Sequence, residues 1–294
     1  ASMQVIEINS AVKPYSRLYI ANKLNEADQQ REALNPRQQK ELDFYLLDFG
    51  KELLTSSTDL SYRDLQDRKT CTTCKTFFWR RGAMELKRDL FYYKDSLFSL
   101  TINPILGGEV FFNSDGKATY ARNFGEARAY VGKWGFYASL RDNHEKPLLG
   151  RPQYLTKREG GHVKGATDWS EMQAGITRAW SWGYAGFVKD RQQWGTNYNG
   201  ANIFGGNNPT FFAFKLNLKP VRWFEFNYFH GWLNSMVTDS SRSYWVSNSY
   251  GLDYREVYHK KYIAANMFTF TPVRNLSISA GNSIVYTDKH FSPV

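Results

Sequence analysis

From about residue 90 onward, apolar and polar residues alternate along the chain with a period of two. Successive side chains of a β-strand point to opposite faces of a sheet, so this period predicts strands with one apolar and one polar face. A soluble β-sandwich shows the same alternation, and the pattern by itself leaves both fold classes open. The clearest examples are Phe98–Ile102, Ala127–Val131, Phe136–Leu140, Phe212–Leu218, Phe224–Tyr228 and Leu276–Ala280.

The 294-residue chain is polar on average but rich in aromatic residues. Phe, Tyr and Trp make up 17% of the sequence, and its mean hydropathy is −0.56. No stretch approaches the roughly 20 apolar residues of a membrane-spanning helix, which excludes a helical membrane protein. So many aromatic residues argue against disorder. The combination is typical of transmembrane β-barrels, whose strands alternate between lipid and lumen and carry aromatic residues at both membrane interfaces.

The lengths of the connections favour a barrel over a sandwich. Tight turns are predicted at Gly132–Gly135, Lys219–Arg222 and Thr271–Arg274. Long polar segments interleave with these turns and cover roughly residues 142–170, 189–209 and 233–257. Short turns at one rim and long loops at the other are the outer-membrane pattern, whereas soluble domains seldom contain several structureless loops of this length.

Residues 1–86 follow a different pattern and are predicted to be a helical segment with a connector. Asn35, Pro36 and Gln38 resemble an N-cap, a first-turn proline and a capping-box glutamine. An apolar stripe with helical spacing follows, and Gly50 is a plausible helix end. An earlier helix is predicted to begin at Pro14. The stripe consists of Leu42, Tyr45, Leu46 and Phe49.

The only cysteines, Cys71 and Cys74, form a single CxxC pair in the connector. One such pair cannot supply the four ligands of a structural zinc site, and its polar, basic surroundings do not resemble a redox motif at a helix start. A disulfide that closes a small loop in an oxidising compartment is the favoured interpretation.

Several motifs, spread over most of the chain, together resemble one family. They are Lys13–Arg17, Asn35–Glu41, Arg88–Asp95, Ile102–Gly108, Gly135–Asn143, Trp194–Gly200 and Leu218–Tyr228. With these motifs the chain resembles the Wzi-like capsule-assembly outer-membrane proteins, including relatives linked to gliding motility. The resemblance implies an N-terminal periplasmic helical segment at residues 1–86, followed by an antiparallel transmembrane β-barrel at residues 87–294. It also implies a role in holding surface polysaccharide to the outer membrane.

The number of strands predicted here differs from the number that the family implies. The family implies about eighteen strands, and the alternation after residue 87 predicts only about nine or ten. Either the barrel is small and closed, or these residues are the first part of a larger one. We favour the second alternative, because an incomplete barrel would leave an unpaired strand edge in lipid.

No sequence motif indicates an enzyme, a cofactor or a metal site. The chain lacks the GxSxG elbow, the phosphate-binding GxxxxGK[ST] loop and the HExxH zinc motif. His144 stands beside Glu145 in a predicted loop, where a solvated loop is a simpler interpretation than an acid–base pair. A non-enzymatic protein without cofactors is therefore predicted. An outer-membrane hydrolase is the further alternative, because barrel strands can bring together a Ser–His pair that no local motif reveals.

One loop suggests a glycan-binding site. It combines flat aromatic rings with amide and charged side chains, and sugars bind on such surfaces by stacking and hydrogen bonding. The alternative is an interfacial Trp194 beside an ordinary turn. The predicted glycan-binding residues are Lys189, Arg191, Trp194, Asn197 and Tyr198.

The sequence thus predicts a non-enzymatic outer-membrane protein that anchors or assembles capsular polysaccharide. The formal charge of +10 suits an acidic glycan, and its spread along strands and loops argues against nucleic acid as a partner. Outer-membrane lipid is the other expected partner. The alternative function is an accessory protein of the gliding-motility or type IX secretion apparatus, with the N-terminal helices docking on a periplasmic protein.

Overall fold

The computed structural model describes most of the chain and shows a mainly β fold. The described residues are 5–9, 11–56, 74–77, 89–114, 116–147, 162–164, 167–195, 201, 203–206, 208–249, 251–273 and 276–288. Strands make up 64% of the structure, which confirms the predicted mainly β class. Cys71 lies outside the described residues, so the Cys71–Cys74 disulfide stays a prediction.

Two α-helices form the N-terminal segment, α1 (Arg17–Gln29) and α2 (Pro36–Ser56). The predicted capping box at the start of α2 is present: the Gln38 amide donates to Asn35 Oδ1 at 2.9 Å, and the Asn35 amide donates to Gln38 Oε1 at 3.1 Å. The predicted start at Pro14 was wrong, because Ser16 is the N-cap of α1 and accepts from the Tyr19 amide at 3.1 Å.

The predicted end of α2 at Gly50 was also wrong. The helix continues for six more residues to Ser56, and in this extension Lys51 and Glu52 form ion pairs with Asp89 and Arg17, respectively. Such tertiary contacts outweigh the roughly 1 kcal/mol that a glycine costs inside a helix. Of the predicted stripe, Leu42 and Leu46 are buried against α1, whereas Tyr45 is exposed.

Eighteen strands are assigned among the described residues. They are β1 Val12–Lys13, β2 Cys74–Phe77, β3 Phe91–Lys94, β4 Phe98–Pro104, β5 Gly107–Asn113, β6 Gly116–Val131, β7 Trp134–Lys146, β8 His162–Lys164, β9 Asp168–Trp180, β10 Gly183–Asp190, β11 Gln193–Trp194, β12 Phe204–Gly205, β13 Phe211–Val221, β14 Phe224–Thr238, β15 Tyr244–Asn248, β16 Gly251–Arg255, β17 Tyr258–Val273 and β18 Leu276–Thr287.

Thirteen of these strands form one large sheet. Its order is β18-β17-β14-β13-β10-β9-β7-β6-β4-β3-β2, with β5 added to β6 and β8 added to β9. Neighbouring strands pair antiparallel throughout, and β1-β11-β12 and β15-β16 form two small sheets. The sheet begins before the predicted boundary at residue 86, since β2 pairs with β3. Strands as short as β2 and β8 are too brief to show a period in the sequence.

The two rims of the large sheet differ, as the connection lengths predict. One rim carries tight turns at residues 95–97, 132–133, 181–182 and 222–223, which confirms the turn predicted at Gly132–Gly135. We call it the short-turn rim and its opposite the long-connection rim. The predicted long loop at 233–257 was wrong in part, because β14 continues to Thr238 and residues 244–255 form a hairpin. The segment resembles a loop in the sequence because its two hairpin strands are only five residues long each.

The large sheet has two faces of opposite character. The face that contacts the N-terminal segment, here the inner face, carries mostly polar residues such as Tyr130, Tyr137, Lys215 and Asn227. It also carries the main apolar cluster, where β1 packs against the sheet. That cluster consists of Val12, Trp194, Phe211, Ala213, Phe229, Ile263, Ala265 and Met267.

Candidate functional site

The outer face of the sheet is apolar and open to the surroundings. Side chains that alternate with the inner-face residues are about two-fifths to one-half exposed along the middle of the sheet, as at Ile176 (47%), Phe214 (39%) and Phe268 (40%). The polar inner-face neighbours are nearly covered, and Lys215 is 6% and Thr269 2% exposed. A soluble protein buries the apolar face and wets the polar one, so this arrangement is inverted.

Tryptophan rings mark two levels of the outer face, and phenylalanine rings lie between them. At the short-turn rim, Trp180 and Trp182 meet edge to face at 5.3 Å, Trp223 stacks on Phe270, and Arg178 lies 5.5 Å above the Trp134 ring. Nearer the opposite rim, rings cluster in contact across three neighbouring strands. The members of this second group are His230, Trp232, Tyr262 and Tyr286.

The separation of these two levels is close to the thickness of a bilayer's apolar core. From Trp223 to Trp232 the strand rises roughly 30 Å at about 3.3 Å per residue. Strands of membrane barrels tilt by about 40°, which reduces that rise to roughly 23 Å along the normal, near the ~25 Å apolar band of such barrels.

Between the aromatic levels, the outer face contains a shallow apolar groove of about 370 Å³. Small side chains of β6, β7 and β9 form its floor, and larger ones rise around it. The floor consists of Ala127, Ala129, Ala138 and Ala174, and the walls include Leu100, Phe136, Ile176, Phe187 and Phe212.

Hydrogen bonds connect polar side chains across the inner face. Tyr137 donates to Asp190 Oδ2 at 2.9 Å, between β7 and β10. Asn217 Nδ2 lies 2.8 Å from both Glu225 Oε1 and Asn227 Oδ1, between β13 and β14. These contacts satisfy polar groups on a face that is largely removed from water.

The N-terminal segment is fastened to the inner face by charged groups. Arg17 Nε donates to Glu52 Oε1 at 2.5 Å, and the same oxygen accepts from Tyr130 of β6 at 3.2 Å. Lys51 forms an ion pair with Asp89, whose other oxygen accepts from Asn103. Burial lowers the pKa of Lys51, and the Asp89 carboxylate opposes that shift.

Tyr15 lies between β1 and α1 and is part of the same attachment. Its hydroxyl donates to the Asn9 carbonyl at 2.8 Å, and its ring lies 5.3 Å from that of Tyr19. Burial raises the pKa of Tyr15 to about 12, and the nearby charge of Glu225 acts in the same direction. Next to it, Lys215 Nζ donates to the Pro14 carbonyl at 3.4 Å.

Two of the predicted glycan-binding residues are buried in this structure. Trp194 is 1% exposed and meets Phe204 and Phe229 edge to face at 5.6 and 5.0 Å, so it presents no ring face to a ligand. Lys189, also 1% exposed, donates to the Thr210 hydroxyl at 2.6 Å and to the Met172 carbonyl.

Of the other three predicted glycan-binding residues, only Arg191 is among the described residues. Arg191 forms a two-pronged ion pair with Glu171, with Nη2 2.8 Å from both carboxylate oxygens, and its side chain keeps 37% of its surface exposed. Asn197 and Tyr198 lie outside the described residues. Glycan binding by this loop stays a prediction.

The β15–β16 hairpin carries a further group of exposed aromatic and apolar side chains, which was not predicted from the sequence. Tyr244, Trp245, Leu252 and Tyr254 are all exposed there. At the base of the hairpin, Asp239 forms an ion pair with Arg242 and accepts from the Ser241 hydroxyl at 2.5 Å. The Ser241 hydrogen bond and the Arg242 charge hold the pKa of Asp239 down at about 2. The Tyr-Trp pair at 244–245 was the sequence signal.

The described residues contain neither a metal-ligand cluster nor a helix suited to crossing a membrane. Across them, no three His, Cys, Asp or Glu side chains converge as metal ligands would. None of their helices combines the length and the apolar character that a membrane span requires. His144 contacts the Asp168 carboxylate at an exposed position on β7.

The chain was compared with known proteins at three levels. No family model matches it, and neither a curated protein nor a solved structure does.

Proposed function

We propose that this protein is a non-enzymatic outer-membrane protein whose large sheet is part of a transmembrane β-barrel and which helps to hold surface polysaccharide. The inverted sheet is the observation that carries the membrane assignment. Its apolar face is exposed while its polar face is covered, as lipid outside and a polar interior require. The two aromatic levels, roughly one apolar bilayer core apart, support the same assignment.

The lengths of the connections at each rim indicate which side of the membrane that rim faces. Short turns of outer-membrane barrels face the periplasm and longer connections face outward. The N-terminal segment covers the inner face, so the protein acts as an anchor with a filled interior rather than as an open pore. The long-connection rim is then the surface that meets polysaccharide, in keeping with the resemblance to capsule-assembly proteins and with a positive net charge that attracts acidic glycans.

A deletion strain tests this function. Surface-bound and released polysaccharide would be measured in cells with and without the protein, and in deleted cells carrying a plasmid copy. The proposal expects normal total synthesis with polysaccharide shed into the medium, and restoration by the plasmid. Normal retention in the deleted strain would refute the anchoring function.

The N-terminal helices support a second candidate, docking on a periplasmic partner of a motility or secretion apparatus. On α2, Phe44 is 61%, Tyr45 49% and Leu47 38% exposed, an apolar group on a helix whose other side packs on α1. Replacing Phe44 and Leu47 by Ser would abolish gliding or secretion under this candidate while polysaccharide retention stays normal. Loss of retention alone would favour the anchor.

A further inference from the structure

The β15–β16 hairpin presents two aromatic rings side by side. Trp245 and Tyr254 are directly paired across the two strands, with ring centroids 5.0 Å apart and planes at 53°. Trp245 is 64% and Tyr254 41% exposed. Exposing two large rings costs free energy, and an exposed group of this kind commonly marks a binding surface.

The hairpin is held in place before any ligand arrives. At its base, the Asp239 amide donates to the Val257 carbonyl at 2.7 Å, and the Val257 amide donates to the Ser243 hydroxyl at 3.0 Å. Arg242 joins Asp239 to Asp288, just past the end of β18, and so ties the hairpin to the large sheet. A preorganised surface loses less conformational entropy on binding than a flexible loop does.

The position of the hairpin places these rings outside the apolar core of the bilayer. Beyond Trp232, in the second aromatic level, β14 continues to Thr238 before the hairpin begins. Because β14 has a bulge between Asn234 and Thr238, this extension follows only the four residues from Tyr262 to Tyr258 on β17, roughly 13 Å at about 3.3 Å per residue. At a tilt of about 40°, the base of the hairpin lies roughly 10 Å beyond the second aromatic level, on the water side of the apolar core.

The small size of the aromatic surface favours a sugar over a protein. One face of the hairpin carries Trp245 and Tyr254 beside the Ser247–Leu252 pair, whereas Tyr244 and Arg255 lie on the other face. A specific protein interface needs about 800 Å² per partner, far more than two rings and their neighbours provide. A sugar ring needs one or two aromatic faces and a few hydrogen-bonding groups.

We propose that Trp245 and Tyr254 bind a pyranose unit of the surface polysaccharide, by stacking against its C–H face. Ser247, next to the rings, would hydrogen-bond to sugar hydroxyls. This inference rests on the proposed function and replaces the buried Trp194 as the aromatic contact.

The test compares three strains with the deletion strain, all measured for retention of surface polysaccharide. One strain carries Trp245→Ala with Tyr254→Ala, one carries Trp245→Phe, and one carries Phe112→Ala. Phe112 is the matched control, because it is 75% exposed on the β5–β6 hairpin at the same rim. The double variant is expected to shed polysaccharide as the deletion strain does. The Phe112→Ala strain should retain it fully and Trp245→Phe in part.

Binding of polysaccharide to the purified protein in detergent distinguishes the remaining outcomes. The probe is the polysaccharide that the same cells release. We expect the double variant to weaken binding at least about ten-fold, since stacked aromatic rings are typical binding hot spots. Normal retention by the double variant, with shedding in the deletion strain, would overturn the hairpin site and leave the anchoring function intact. Shedding without direct binding by the wild type would assign the rings to a protein partner and overturn the sugar site.

Discussion

Single charged residues determine how firmly the N-terminal segment holds to the sheet. Glu52 is 4% exposed and joins Arg17 of α1 to Tyr130 of β6. Glu52→Gln keeps the shape but removes the charge, and we expect the helices to lose about 1–3 kcal/mol of local stability, because a charged hydrogen bond is weakened in a covered site. Hydrogen exchange of residues 17–52 measures this loss.

The matched control lies on the same helix. Glu41 pairs with Arg37 at 3.0 Å, but both side chains are more than half exposed. Exposed pairs of this kind contribute about 0.5 kcal/mol or less, so Glu41→Gln should leave the exchange rates nearly unchanged. Equal effects of the two substitutions would contradict the role assigned to Glu52.

Alkaline pH should loosen the same attachment through Tyr15. Its pKa in the folded protein is about 12, above the value of roughly 10 in an unfolded chain. A pKa raised on folding contributes stability that is fully present below pH ~10 and is lost as the pH rises through ~12. Tyr15→Phe should remove this part of the alkaline loss, as followed by proteolysis of the N-terminal segment between pH 9 and 12. Tyr45→Phe, at an exposed ring, is the control and should behave as the wild type.

Among the elements, the β1-β11-β12 sheet depends on one tryptophan. Trp194 pairs with Val12 and packs between Phe204 and Phe229. Trp194→Ala leaves a large cavity, and we expect a loss of roughly 3–5 kcal/mol, with residues 11–14 released to protease. Trp194→Phe should keep most of the packing. If Trp194→Ala left β1 protected, the buried position of this ring would be contradicted.

The sequence predicted elements that depend on near neighbours and missed those that depend on distant ones. The α2 capping box is a contact between Asn35 and Gln38 and was readable directly. Alternation was readable in parts of β4, β6, β7, β13, β14 and β18, because each side chain there faces either the inner or the outer surface, whereas β9, β10 and β17 were not predicted from it. The burial of Trp194 was not readable, since its partners β1 and β14 lie far away in the chain.

The same distinction between near and distant contacts applies to the candidate site. Aromatic residues in a long polar segment suggested sugar binding, but which rings stay exposed depends on tertiary packing. Trp194 is buried in the core. Trp245 lies exposed on a hairpin, in a segment predicted as a loop. The alternation could not say which face would be covered, because a sandwich and a barrel give the same pattern.

For the whole molecule, the central question is what covers the apolar outer face. Polar contacts such as Asn217–Asn227 and Tyr137–Asp190 fill the inner face together with the N-terminal segment. The outer face has no such cover within the described residues, and lipid satisfies it without further protein. Anchoring of polysaccharide follows only if this face lies in a membrane.

Spin labels on adjacent residues of β17 test that claim most directly. In a background with Cys71 and Cys74 replaced by Ser, Phe268→Cys carries a label on the outer face and Thr269→Cys carries one on the inner face. We predict that, in vesicles, oxygen dissolved in lipid broadens the spectrum of the label at residue 268, while the label at residue 269 is shielded from it. A water-soluble nickel reagent that reaches residue 268 as readily as oxygen does would contradict a lipid-facing sheet.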